Sequence, residues 1–452
     1  MAERSGFTHR MISGWISDFS SIPRMEPWPS ITLDGRMTAD LLQCFDAAKA
    51  AGYTGIILWG LLAGRSWSPY LPDTVSEARQ QQVKQILAEA RQRNLKLLMG
   101  LGLYSWGFDA IIAEHPELDG GAPNNMCGSR PESWTWMQRV VDYIMDEYDP
   151  DGVSMQSSDM GRCPCDACQE MSSLAYHARI NDQVAAYIRS RWPDKLIEIS
   201  TWGMDLGNPA DLTHVQHMTA HADVLNDFNN SSARQGRGNR QALIRNLACA
   251  FGTEQGWWVD PPPFWQRLKW FLPFSLSNVP YWHDLLSDGG KAVQRYILPL
   301  VNPGAEVGFI FDGIMLQDLH REPTAALEEA LVQVFEPRTQ AARQALAETW
   351  QAVENAFLAG IPTSSKLRSI GMNSVHYNGA APVPALTERP EYLLRMKPER
   401  LAAYASALAA GLRTVQQVQS ELGNTEKGVR LQRAMHFALA DAEWVQGAKA
   451  GA

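Results

Sequence analysis

The segment Tyr53 to Gly60 reads Tyr-Thr-Gly-Ile-Ile-Leu-Trp-Gly, a continuous apolar run of strand length. A strand that is apolar on both faces needs cover on both, which a parallel sheet wrapped in helices supplies. Comparable runs alternate with amphipathic helical stretches in units of about 40 residues, the rhythm of a parallel α/β barrel. Strands are expected at Met11 to Phe19, Tyr53 to Gly60, Leu95 to Tyr104, from Asp151, Lys195 to Thr201, His221 to Asn226 and Leu243 to Phe251. Glu306 to Phe311, ending at Asp312, is read as the eighth. It is preferred to the proline-interrupted segment before Trp282, because proline removes a ladder donor. From about Pro323 the sequence changes to long Ala-, Leu-, Glu- and Gln-rich helical periods. The expectation is a (β/α)8 TIM barrel over residues 1–323 and a C-terminal α-helical domain over residues 324–452.

A formal net charge of -9 argues against nonspecific binding to nucleic acid or to an anionic membrane, since both are negatively charged. No window approaches the roughly 18 uninterrupted apolar residues of a membrane span. The opening Met-Ala-Glu-Arg-Ser-Gly lacks the basic and then apolar pattern of a signal peptide, so the expected location is the cytoplasm. The expected partner is a small molecule, and the 16 tryptophans suggest which kind. Aromatic faces pack against the apolar faces of sugar rings, although most tryptophans in any chain serve the core.

The stretch Asp151 to Cys168 concentrates the candidate chemistry. A short run of strand character ends in polar residues and delivers Asp159 and Arg162 to its carboxyl end, where barrels keep their active sites. Asp227 and Glu254 occupy the expected carboxyl ends of the sixth and seventh strands. Glycosidic cleavage needs one protonated carboxyl for the leaving oxygen and one carboxylate to activate water or attack directly. A lone acid at such a place caps a helix or pairs with an arginine as readily as it catalyses. Three acids among Trp15, Trp59, Trp106, Trp202 and Trp257 at other strand ends favour catalysis on a carbohydrate.

Ser-Ser-Asp-Met-Gly at the fourth strand, Asn-Asp-Phe at the sixth and Gly-Thr-Glu-Gln at the seventh resemble the acid and base positions of the family 67 α-glucuronidases. The region of Asp159, with Gly161-Arg162-Cys163-Pro164-Cys165 after the aspartate, also resembles uncharacterised bacterial barrels grouped near those hydrolases. The resemblance implies an inverting glycoside hydrolase with Asp159 as general acid and Asp227 and Glu254 as base or water-holding partners. Asp159 stands where that family has a glutamate.

Arg234, Arg237 and Arg240 follow the sixth strand in a glycine-containing loop. Facing the pocket they would suit an acidic sugar; otherwise they belong to a solvated loop. A rival reading is a metal-dependent sugar isomerase or epimerase with Asp159, Glu254, His283 and Asp312 around a divalent ion. As a hydrolase the chain would use His283 and Asp312 on substrate and hold no catalytic metal. A noncatalytic carbohydrate-binding barrel is the third alternative. No cofactor is required, and Gly100-Leu-Gly102 lacks the rest of a dinucleotide fingerprint. Cys163, Cys165 and Cys168, with Cys127, could hold a structural zinc, but the spacing lacks a second matched pair and favours a packed or redox-reactive cluster. Apolar stripes on the C-terminal helices suggest a homodimer.

Overall fold

The computed structural model describes residues 5–15, 35–62, 66–105, 107–121, 125–157, 162–228, 230–233, 236–255, 276–296, 303–360, 393 and 396–450. Eight parallel strands follow one another as β1 (His9–Trp15), β2 (Gly55–Trp59), β3 (Lys96–Gly102), β4 (Gly152–Gln156), β5 (Leu196–Ser200), β6 (Val224–Phe228), β7 (Ala250–Gln255) and β8 (Ala292–Tyr296). Each pairs with its neighbour in sequence, and β8 returns to β1 with Ala292 beside His9, so the sheet closes into a barrel.

Helices cover the outside. α1 (Gly35–Ala50) precedes β2 and α2 (Glu77–Gln92) precedes β3. Then α3 (Asp109–Glu114) and α4 (Pro131–Tyr148) precede β4, and α5 (Asp166–Gln169) and α6 (Ser173–Arg191) precede β5. α7 (Leu212–Met218), α8 (Arg237–Arg245) and α9 (Val279–Ser287) lead to β6, β7 and β8, and α10 (Pro303–Gln317) follows β8. Local sequence sets several boundaries. Ser76 and Ser172 cap α2 and α6 by accepting from the amides of Arg79 and Ala175, satisfying donors that a helix start leaves free. Pro131 opens α4, where its missing N–H costs nothing. Asn94 takes a left-handed turn (φ 57°) that stops the chain after α2 and redirects it into β3.

Side chains alternate across each strand. Ile12, Ile56, Leu97, Val153, Ile199 and Leu225 point outward into the main core against the helices. Met11, Ile57, Trp59 and Leu98 form a second, smaller cluster inside the barrel. Trp59 lies flat over Gly100, where a Cβ would come within 2.1 Å of its ring.

Two strand expectations are corrected. Glu306 to Phe311 is the middle of α10, and β8 lies earlier, at Ala292–Tyr296. A short apolar run suits a buried helix as well as a buried strand, and α10 is buried along most of its length. β7 begins at Ala250, because most of the stretch from Leu243 that precedes it completes α8 and the turn after it.

Beyond the barrel lie α11 (Pro323–Phe335), α12 (Gln340–Gly360), α13 (Pro398–Val418) and α14 (Thr425–Ala450). α12 packs on α13 and α13 on α14, while α14 also meets α10 and α11. The main core runs unbroken from the outer face of the barrel into these helices. Among the described residues no helix is long and apolar enough to cross a membrane.

Candidate active site

Inside the barrel, toward the carboxyl ends of the strands, apolar side chains give way to polar ones. By the strand alternation Ser13, Ser154, Glu198, Ser200, Asn226, Glu254 and Gln294 face the axis, and none is more than 3% exposed. Barrel interiors are ordinarily filled by bulky branched apolar residues, so a layer with two carboxyls is a departure that needs a reason. Asn226 donates through Nδ2 to Glu198 Oε1 at 2.8 Å and to Gln294 Oε1 at 2.7 Å. Ser200 Oγ donates to Glu254 Oε2 at 2.7 Å. Gly252 makes room for this layer: a Cβ there would sit 2.5 Å from Asn226 Oδ1.

Both carboxyls are hard to ionise. Burial pushes Glu254 up to about 7, against the hydrogen bond from Ser200. Burial likewise pushes Glu198 up to about 8, and the neighbouring Glu254 adds to the rise. Among the described residues Ser13 Oγ and Asn226 Oδ1 are buried without a protein hydrogen-bond partner, while Ser154 faces Glu198 and opposes the rise in its pKa. Buried polar atoms of this kind are normally satisfied by water or by a ligand's hydroxyls.

Of the residues expected to act, Glu254 lies in this layer. Asp159 lies outside the described residues, three positions past the last residue of β4. Asp227 is on β6 but shares the outward parity of Leu225, so its carboxylate turns away from the axis. It accepts from the amides of Ser231 and Ser232 at 2.9 and 3.0 Å and from their hydroxyls at 2.6 and 2.5 Å. These four bonds fix the turn after β6 and use the carboxylate's lone pairs. Its pKa is raised by burial, with the two serines opposing the rise.

The arginine loop also turns to structure. Arg237 and Arg240 both hold Asp288, Arg237 reaches Asp284 at 2.7 Å, and Arg240 donates to Asn230 at 2.9 Å. Arg234 lies outside the described residues. Arg162 binds its own loop, donating to the carbonyl of Met171 and to Gln169 Oε1.

His283 is exposed on α9, outside the barrel wall. Asp312 sits on α10 and forms an ion pair with Arg295 of β8 at 2.5 Å, each side chain 1% exposed. Among the described residues neither His283 nor Asp312 is therefore placed with Glu254, as the cage of the isomerase reading would need.

Among the tryptophans, Trp59 is inside the barrel and Trp202, just past β5, is half-buried against Phe228 with ring centroids 4.4 Å apart. Trp15 ends β1, and its side chain, like Trp106 and Trp257, lies outside the described residues.

Glu198 is a carboxyl of this layer that is not among the residues expected to act. Its signal was present: in Leu-Ile-Glu-Ile-Ser the lone acid alternates with isoleucines that pack under helices, so it had to face the axis.

No protein-family model matches the chain, and no curated protein does. Among solved structures it is similar to a GH138 enzyme targeting pectin rhamnogalacturonan II, at 10% identity and a TM-score of 0.58, covering 98% of this chain and 58% of that one. It is similar to the Thermobaculum terrenum O-GlcNAc hydrolase, at 10% identity and a TM-score of 0.54, covering 98% of this chain and 84% of that one. CpGH84D gives 7% identity and a TM-score of 0.54, covering 99% of this chain and 67% of that one. The chain thus spans little more than half the length of the first of these. At such identities the likeness is one of fold: this chain has a barrel of the kind these glycoside hydrolases carry.

Proposed function

We propose that the chain is a glycoside hydrolase acting on a carbohydrate at the carboxyl ends of its strands. The observation that carries this reading is Glu254, a carboxyl facing the barrel axis in a buried polar layer, its pKa pushed by burial up to about 7. A general acid needs a pKa near the working pH, and Glu254 has one. We assign it that role and give Asp159 the base, the reverse of what the family 67 resemblance implies. Asp227 positions the turn after β6. Trp202, half-buried just past β5, is the described aromatic candidate for stacking on sugar, while Trp59 is packed inside the barrel.

β4 and β7 are three steps apart around an eight-stranded barrel, nearly opposite each other. Such a placement suits the roughly 6.5 to 9.5 Å carboxyl separation of inverting enzymes better than the 5 to 5.5 Å of retaining ones. Inversion is therefore proposed on the Asp159–Glu254 pair. An acidic sugar is a narrower proposal resting on Arg234 and on the family 67 resemblance, since Arg237 and Arg240 are held by aspartates. A cytoplasmic setting is proposed on the six free cysteines.

The test is turnover of a panel of aryl and oligosaccharide glycosides, uronides included. Glu254→Gln should abolish hydrolysis of natural glycosides yet spare substrates whose leaving group departs without a proton. Equal loss on both removes Glu254 from the acid role. Proton NMR of the first-formed product should show the anomer opposite to the substrate's. Binding of sugars without turnover of any would favour the noncatalytic barrel.

A further inference from the structure

Four thiols that are far apart in sequence meet at the carboxyl-end rim of the barrel. Cys127 comes from the loop between α3 and α4; Cys163, Cys165 and Cys168 come from the loop after β4 and from α5. Their sulfurs all lie within 4.8 Å of one another. Cys127 Sγ is 3.6 Å from Cys165 Sγ and 3.9 Å from Cys168 Sγ. Zinc held by thiolates at about 2.3 Å in a tetrahedron sets its sulfurs about 3.8 Å apart. Cys127, Cys163 and Cys168 are no more than 1% exposed, and Cys165 is half-buried.

The surroundings suit a metal more than a packed apolar cluster. Ser129 Oγ lies 3.0 Å from Cys168 Sγ, and Arg179 donates to that hydroxyl and to the carbonyl of Gly128, at 3.1 Å each. A zinc with four thiolates carries a net charge of −2, and the Arg179 guanidinium next to the cluster offsets part of it. The chain around the thiols is itself held. The Cys127 amide donates to Leu118 O at 2.8 Å, Gln169 Nε2 donates to Cys163 O at 2.9 Å, and the Cys168 amide donates to Cys165 O at 3.0 Å.

We infer that Cys127, Cys163, Cys165 and Cys168 form a structural zinc site that fastens the loop after β3 to the loop after β4. Four protein ligands fill a tetrahedral shell, so no position is left for substrate and the metal's role is to hold the loops. Binding releases the four thiol protons and leaves zinc in its divalent state. The site anchors the segment immediately downstream of Asp159, which lies four residues before Cys163. It makes no claim on the hydrolase reading and can fail or hold independently of it.

The experiment is elemental analysis of the full chain, prepared without added metal and dialysed. About one zinc per chain is expected, falling in Cys165→Ser, whose half-buried position makes it the mildest change, and kept in Cys249→Ser. Should Cys165→Ser not fold, cobalt substituted into the unmodified chain must give the intense visible absorption of a tetrahedral thiolate site. A folded chain with substoichiometric zinc, a cobalt spectrum of octahedral type, or a disulfide among the four cysteines on nonreducing peptide mapping overturns the assignment.

Discussion

Glu198 and Glu254 keep protons that the unfolded chain would release, and this ties stability to pH. Glu198 has an ordinary value of 4.5 and is pushed up to about 8 in the fold, so between these values the folded state binds more protons than the unfolded one. Stability must then fall as pH rises through that window, by up to about 1.4 kcal/mol per pH unit for each proton that only the folded state holds. Glu198→Gln keeps an oxygen to accept from Asn226 and cannot ionise. Its melting temperature should decline less steeply than that of the unmodified chain toward pH 8, and superimposable profiles would refute the buried titration. Asp227 gives a second test at this scale. Asp227→Asn sets an amide against the serine donors and should cost about 1–3 kcal/mol while sparing turnover per folded molecule. Lost turnover with unchanged stability would instead make it catalytic. Glu254 was legible as an acid at a strand end, but the direction of Asp227 was not. A strand reverses its faces every residue, so knowing that Asn226-Asp227 ends β6 does not say which of the two enters the barrel. The packing of Leu225 under the helices decides it.

At the scale of elements, the strands that could be read were those whose outer face is plainly apolar. β2 and β3 fall inside the segments expected for them. β8, Ala-Val-Gln-Arg-Tyr, was missed because it carries a polar residue on each face. Gln294 joins the interior layer, and Arg295 finds its counterion only when α10 brings Asp312 to it. That partnership comes from tertiary structure and leaves no local periodicity. The same run of residues in α10 looked like a strand because a helix buried on most sides has no polar stripe to betray its period. Close contact between elements can be tested at Gly100. Gly100→Ala would drive a methyl into the Trp59 ring of the neighbouring strand, so a loss of about 1–3 kcal/mol is expected. Denaturant titration checks this, with a lowered midpoint at an unchanged slope.

For the whole molecule, the C-terminal helices find most of their packing inside the chain. The apolar stripes that suggested a homodimer meet one another across α12, α13 and α14 and meet the barrel through α10 and α11. Among the described residues there, Trp444 and Val429 of α14 are the exposed large apolar side chains, 48% and 41% exposed, and a dimer would rest on them. Light scattering at micromolar concentration decides: twice 50.3 kDa supports the dimer, and 50.3 kDa removes it. Closure of the barrel has its own cost in time. His9 pairs with Ala292, and the Phe7 amide donates to Leu316 O, so the first strand waits for almost the whole barrel before its second neighbour exists. Contacts between residues so distant in sequence form slowly, because the entropy of closing the loop is lost before any pairing is gained. On a ribosome, β1 would have an unpaired edge until β8 had been made, which is the interval in which a chain like this aggregates or engages a chaperone.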